Sequence, residues 1–234
     1  MRYSQTLIPG RLVRRYKRFL ADVELDSGGV ITAHTANPGR MTGLIKPGNR
    51  VYLSFHDSPK RKLKYSWELV KVGRWLVGVN PILANALVAE AIERGVITEL
   101  SGYSELKREV AYGTRGSRAD MRLDGHATLG PATVEVKSAT LVEGRLALFP
   151  DAPSERGRKH LRELRDVVRA GERAVLIFVA QRRDCDAVAP ADTVDPEYGA
   201  LLREVMAAGV EVLAYQAKVG TREVRVTGPL PVRV

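Results

Sequence analysis

Apolar residues recur along this chain with two different periods, and the change between them divides it. Residues 10–25, GRLVRRYKRFLADVEL, alternate imperfectly between apolar and charged positions and run into the turn signal Ser27-Gly28-Gly29. VITAHT, NRVYLSF, KLKYSWELVKVG and RWLVGVN follow, separated by loops rich in Gly, Pro, Asn and Asp. Period-two runs broken by such residues read as strands. About five strands in roughly eighty residues predict a small closed β barrel, with an oligonucleotide-binding (OB) barrel as the leading candidate.

At Asn80-Pro81 the period lengthens. Asn can cap a helix and Pro is tolerated at its first position. PILANALVAEAIERG therefore predicts a helix that stops at Gly95, with Leu83, Leu87 and Glu90 on one face. SELKREVAYG, RADMRL and TVEVKSATL then read as three strands. PSERGRKHLRELRDVVRAG reads as a helix capped by Ser154 and ended by Gly171, and RAVLIFVAQR as a buried central strand. A further helix, EYGALLREVMAAG, leads into the strand VEVLAYQA; EVRVTGPLPVRV adds an edge strand or a return to the first domain. This order predicts an α/β sheet covered on both faces. The expected organisation is two domains, residues 1–80 and 81–234.

Charge sharpens that division. The formal net charge of +10 lies wholly in the first domain, where residues 1–80 hold 15 Lys and Arg against 5 Asp and Glu, while residues 81–234 hold 22 of each. A basic module joined to a neutral one points to a polyanion partner. Tyr16 and Phe19 interleave with Arg14, Arg15, Lys17 and Arg18, the mix of stacking and charge that holds single strands, although inward aromatics with outward bases also describe an ordinary barrel strand. SPKRKLKYSW adds Lys60, Arg61, Lys62 and Lys64, and the loop after His34 carries Asn37, Gly39 and Arg40, which reads either as a plain turn between strands or as a grip on a nucleic-acid backbone. Cys185 is the single cysteine, so neither an internal disulfide nor a CxxC zinc site forms. No signal peptide and no apolar run of about 18 residues is present, which predicts a cytoplasmic, nucleoid-associated protein with no membrane partner.

The chemistry concentrates in GSRADMRLDGHATLGPATVEVKSATL, residues 116–141. Side chains alternate along a strand, so Glu135 and Lys137 face one way and Val134 and Val136 the other. If Asp120 lies on the neighbouring strand, its carboxylate approaches Glu135, and two close carboxylates favour a divalent cation. Mg²⁺ or Mn²⁺ takes such oxygen ligands, with a backbone carbonyl such as that of Val136 completing the set. Lys137 would orient a water or stabilise an oxyanion. Arg118 shares the face of Asp120 and could hold a phosphate. A solvated cross-strand ion pair explains the Glu-x-Lys spacing equally well. The succession of a helix with an inward Glu90, a strand with Asp120, a strand with Glu135 and Lys137, and a basic helix is much rarer than the spacing alone. At the start of that last helix, Asp151, Arg156, Lys159 and His160 surround a helix N-terminus, which favours phosphate, although His160 beside Leu161 reads equally as a partly buried structural histidine.

The stretches RYKRFLADVEL, TAHTANPGRMTGL, KRKLKYSWELV, REVAYGTRGSRADMRL, VEVKSATL, FPDAPSERGRKHLREL and VAQRRDC resemble the sugar fermentation stimulation protein A family over almost the whole chain. The resemblance implies a DNA-binding protein, linked by name to regulation of sugar-utilisation genes. It implies an OB-like barrel followed by a restriction-endonuclease-like α/β domain of the PD-(D/E)xK type. It makes Asp120, Glu135 and Lys137 the core triad, with Asp120 and Glu135 holding the metal and Glu90 as the first-helix acid, for which Glu109 competes. Gln181 and Arg183 match an accessory QxR at the end of the fourth strand. Three functions follow as expectations: a DNA-binding regulator with a retained metal site, an active Mg²⁺-dependent nuclease, and a transcription factor using the nuclease fold as a scaffold. DNA is the expected partner, with RNA as the alternative polymer, and a two-fold homodimer would suit duplex binding.

Overall fold

The computed structural model describes residues 1–112 and 117–234. The first domain contains β1 (Ile8–Tyr16), β2 (Leu20–Leu25), β3 (Val30–His34), β4 (Arg50–Phe55), β5 (Tyr65–Val72) and β6 (Trp75–Gly78). The segment with imperfect alternation is not one strand but the β1–β2 hairpin. The chain reverses at Lys17 and Arg18, both with left-handed backbone (φ 45° and 64°). A turn made without Gly, Asn or Pro leaves no compositional mark. β1 pairs with β2 and β4, β4 pairs with β5, and a parallel bridge between His34 and Ser66 joins β3 to β5. That bridge closes five strands into a barrel with the connectivity of an OB domain, and β6 extends it beside β5. Leu12, Val23, Val51, Leu53, Trp67 and Val77 fill the interior. Trp67 Nε1 donates to Leu69 O at 2.9 Å, so the largest core side chain leaves no polar group unsatisfied.

The second domain contains α1 (Ile82–Glu93), β7 (Glu105–Tyr112), β8 (Ser117–Asp124), β9 (Ala132–Ser138), β10 (Leu141–Glu143), β11 (Leu146–Phe149), α2 (Glu155–Arg169), β12 (Arg173–Ala180), β13 (Ala187–Pro190), α3 (Pro196–Ala207), β14 (Glu211–Val219) and β15 (Val224–Pro229). Its six-stranded sheet runs β15-β14-β12-β9-β8-β7, with β12 parallel to both β9 and β14. β12 shows why the sheet is covered twice. Val175, Ile177 and Val179 enter the core under α1, while Ala174, Leu176, Phe178 and Ala180 enter the core under α2 and α3. Ser154 Oγ accepts from Gly157 N at 3.0 Å and caps α2 as its sequence predicts. TVEVKSATL, expected as one strand, ends as β9 at Ser138, and β10 belongs to a separate sheet, β10-β11-β13. The C-terminal segment forms the edge strand β15, against which residues 1–3 lie, with Val224 N donating to Met1 O at 2.9 Å and Tyr3 N to Arg222 O at 3.1 Å.

Two glycines let the barrel approach the second domain. A Cβ on Gly39 would meet the Asp151 carboxylate at 2.1 Å, and the same carboxylate accepts from Met41 N at 3.0 Å. Gly78 N donates to Gln181 O at 2.8 Å, and a Cβ there would meet Gln181 Oε1 at 2.6 Å and Gln181 Cβ at 3.0 Å. Gly78→Ala is therefore expected to destabilise the protein by about 1–3 kcal/mol through overpacking. Gly130→Ala, at a site with nothing within 4 Å, should melt near wild type. Thermal denaturation of the two variants checks this; equal melting temperatures would mean that the domains do not meet at Gly78.

Candidate active site

The site begins where a ladder stops. β8 and β9 pair at Leu123–Ala132, Arg122–Thr133 and Met121–Val134, and the next rung would join Asp120 to Glu135. In place of that rung, Asp120 Oδ2 accepts from Val136 N at 2.7 Å, and Oδ1 accepts from Asn85 Nδ2 of α1 at 2.6 Å. Met121, Leu123, Val134 and Val136 point into the core under α1. Alternation therefore turns Glu135 and Lys137 to the opposite side, towards His160 of α2, while the Asp120 carboxylate reaches along the sheet to Val136 N and to Asn85 of α1.

Glu135 is 2% exposed. Its Oε1 accepts from Lys137 Nζ at 2.5 Å and contacts His160 Nδ1 of α2. Arg156 Nε donates to His160 Nε2 at 3.3 Å, which makes that nitrogen an acceptor and assigns the ring proton to Nδ1, facing Glu135. Lys137 Nζ lies 3.2 Å from the same Nδ1. Glu135 Oε2 is buried and has no hydrogen-bond partner among the described residues. A buried carboxylate oxygen without a donor is costly unless a cation satisfies it.

The two acids are driven apart electrostatically. Burial first, then the Glu135 charge, raises Asp120 above the ordinary aspartate range, against the opposing pull of Val136 N–H, Lys137 and Asn85. Burial also pushes Glu135 upward, but Lys137 and His160 outweigh it and leave Glu135 below its usual value.

The other predicted residues distribute as follows. Glu90 is not brought to the carboxylates: it holds the Met1 amino group at 2.5 Å and Arg94 at 3.5 Å. Five residues along a helix is about 500°, so Glu90 leaves α1 on a different side from Asn85, the α1 residue that does reach Asp120. Glu109 is exposed, with left-handed backbone (φ 52°), at the β7 position opposite Asp120. Arg118 is exposed on β8; residues 113–116 of its matching stretch lie outside the described residues. Lys159 pairs with Glu163 at 3.6 Å, and Glu163 also accepts from Tyr112 Oη at 3.3 Å. Gln181 and Arg183 sit at the seam between domains: Gln181 Nε2 donates to Asn80 O and Ser138 Oγ, and the Arg183 guanidinium lies 5.9 Å from the Trp75 ring. Asp151 is committed to the Met41 amide.

On the barrel, Arg14 binds Asp22 at 2.8 Å and lies over Tyr16, whereas Arg15 donates to three carbonyls, those of Arg18, Asn37 and Arg40. Lys17, Arg18, Arg40, Lys60, Lys62 and Lys64 are exposed; Lys64 pairs with Asp57 at 2.9 Å, and Arg61 donates to Ser66 Oγ at 2.9 Å. Asn85 and Tyr112 had no signal in the sequence, because an Asn inside an Ala-rich helix and a Tyr ending a strand are both ordinary.

Two family models match the chain: "SfsA N-terminal OB domain" over residues 13–79 and "Sugar fermentation stimulation protein RE domain" over residues 82–223. Curated relatives carry the name "Sugar fermentation stimulation protein homolog". The Geobacter sulfurreducens protein is 56% identical, over 97% of this chain and 96% of its own length. The Maricaulis maris protein is 52% identical, over 100% of this chain and 99% of its own. Among solved structures, SfsA of Pyrococcus furiosus in complex with Ca²⁺ superposes with a TM-score of 0.89 at 29% identity, covering 100% of this chain and 98% of that one.

The pKa directions give a pH test on the metal-free protein. A raised folded-state value for Asp120 means that its contribution is fully present below about pH 4, the ordinary aspartate value, and is lost as pH rises through the raised value. The depressed value for Glu135 acts on the other side: its contribution is present above the ordinary glutamate value, about pH 4.3, and is lost as pH falls through the depressed value. Asp120→Asn should therefore gain stability relative to wild type as pH rises from about 4 towards neutrality. Urea titrations in chelator across that range check it; a constant difference would show that Asp120 is not electrostatically strained.

Proposed function

The chain belongs to the sugar fermentation stimulation protein family, and from that premise we propose that it is a DNA-binding protein whose second domain carries a PD-(D/E)xK-type, divalent-cation-dependent phosphodiesterase site. The observation that carries this reading is the buried Oε2 of Glu135, without a donor among the described residues, on a carboxylate that neighbours Asp120 and is bound by the Lys137 ammonium. A solvated cross-strand ion pair would leave Glu135 in water, and Glu135 is 2% exposed.

The donor set suits Mg²⁺ or Mn²⁺: two neighbouring carboxylates, one of them with an oxygen that has no donor among the described residues. Among the described residues no group of three His, Cys, Asp or Glu side chains closes into a cage. A pair of carboxylates with water completing the shell suits a hard ion better than zinc. The Ca²⁺ complex of the Pyrococcus furiosus relative supports the same reading. Bound there, the ion would acidify a water and neutralise charge on the phosphate.

The protein's own groups then have distinct tasks. Asn85 and the Val136 amide fix the Asp120 carboxylate. His160, oriented by Arg156, fixes Glu135. Lys137 holds a positive charge where an oxyanion develops on phosphate, so that the charge is preorganised. The exposed cations of the barrel supply sequence-independent affinity for DNA. Regulation of sugar-utilisation genes and association with the nucleoid would both rest on that surface. No helix of the described residues is long and apolar enough to cross a membrane.

Lys137→Ala is expected to fold and retain cation-induced stabilisation yet lose about 10²–10³-fold in single-turnover cleavage of DNA with Mg²⁺ or Mn²⁺. Asp120→Ala should lose both the stabilisation and the cleavage. Rapid-quench assays on labelled DNA and RNA, with thermal shifts on the same samples, measure the two effects. Cleavage that persists equally in both variants would place the chemistry elsewhere. Wild-type protein stabilised by the cation but inert on every substrate would leave a DNA-binding scaffold.

A further inference from the structure

The β1–β2 turn is built against local preference. Lys17 and Arg18 are consecutive, carry Cβ atoms, and both hold left-handed backbone. Only Gly, and to a lesser degree Asn and Asp, visit that region readily. Strain of this kind persists where surrounding structure over-determines it and is concentrated at functional sites. The surrounding structure here is Arg15, whose guanidinium donates to Arg18 O at 2.6 Å, Asn37 O at 2.8 Å and Arg40 O at 3.4 Å. Arg15 thus serves as an internal brace that ties the turn to the Asn37–Arg40 loop, and it leaves the exposed cations of the turn, Lys17 and Arg18, to act outward. Phe19 follows them at 42% exposure, its ring stacked on His34 with centroids 6.3 Å apart. Two exposed cations beside a half-exposed aromatic offer both charge and a stacking surface.

The turn also has a direction. Arg18 and Gly39 form the barrel side of a cleft of about 560 Å³ whose other side belongs to the second domain, with Lys137, Ser138, Phe149 and Arg156. The acids at this cleft are Asp151, engaged by the Met41 amide, and Glu155 in the first turn of α2. The cleft therefore runs from the strained turn to the side chain that lies over Glu135. Its volume is that of a small-molecule pocket. Lys137, which lines it, is 13% exposed, and its partner Glu135, which does not line the cleft, is 2% exposed. A phosphate in the middle of an intact duplex, flanked by its paired strand, cannot be lowered that far between two domains, whereas one strand can be threaded through.

We propose that this interdomain cleft is a single-strand channel, in which Lys17, Arg18 and Phe19 clamp an unpaired nucleic-acid strand and lead it past Lys137. The inference rests on the phosphodiesterase reading and deepens it. The substrate class becomes single strands and the unpaired ends or flaps of duplexes, not duplex interiors.

The test is fluorescence anisotropy with the full chain in chelator, using one labelled oligonucleotide as a single strand, as a blunt duplex and as a duplex with a single-stranded tail. Wild type should bind the single strand and the tailed duplex about tenfold more tightly than the blunt duplex. The double variant Lys17→Asn/Arg18→Gly relieves the backbone strain while removing both charges. Its melting temperature should rise, its single-strand affinity should fall about tenfold, and its logarithmic salt slope should shrink by about 1–2. Arg18→Asn, which removes one charge while keeping a residue tolerated at that φ, should show the same changes at smaller size. Equal wild-type affinity for single strand and blunt duplex, or unchanged single-strand binding by folded variants, overturns the channel and leaves DNA binding standing. Failure of wild type to bind any of the three overturns the DNA-binding reading itself, and the channel with it.

Discussion

Everything at the centre of this molecule depends on one missing rung of sheet. β8 and β9 pair regularly up to Met121 and Val134, and at the next position Asp120 gives the Val136 amide a carboxylate oxygen instead of a main-chain carbonyl. The exchange holds Asp120 rigidly at the mouth of the sheet and turns it towards Glu135. Two carboxylates so placed repel each other, and burial between helices amplifies the repulsion. Lys137 and His160 both engage one oxygen of Glu135 and leave the other without a partner among the described residues. A sheet that pairs fully would be more stable locally and would have nothing to offer a cation.

The barrel matters to that centre through position. It touches the second domain at Gly39 and Gly78, where the absence of a side chain lets main chain approach Asp151 and Gln181. Gln181 bridges the domains, reaching Asn80 O on the linker and Ser138 Oγ, one residue beyond Lys137. The same contacts that fix the domains thus reach to within one residue of Lys137. The basic charge of the first domain is not uniform in use. Arg14 and Arg15 are absorbed by Asp22 and by loop carbonyls, which leaves Lys17, Arg18 and the exposed lysines facing solvent.

The sequence made the sheet domain legible where burial imposes a period. β12 is apolar on both faces because helices cover both, and Glu135 with Lys137 stands out in β9 because their neighbours Val134 and Val136 take the opposite face. Ser154 announced α2 through a local hydrogen bond that sequence spacing alone dictates. The β1–β2 reversal was illegible for the opposite reason: its turn is held by a distant brace, Arg15 with the Asn37–Arg40 loop, and not by turn-forming residues. Glu90 misled because helical spacing fixes a face but not what packs on that face; its partner, the Met1 amine, lies 89 positions away in sequence. Asn85 does the work expected of a polar residue on α1, and no spacing rule distinguishes it from a surface amide.

The central claim is that Asp120 and Glu135 form one divalent-cation site. The most direct measurement is anomalous diffraction from crystals soaked in Mn²⁺. A single strong peak is expected within roughly 2.5 Å of an oxygen from each carboxylate, absent from crystals of Asp120→Asn. A peak elsewhere in the molecule, or one that survives the substitution unmoved, would contradict it.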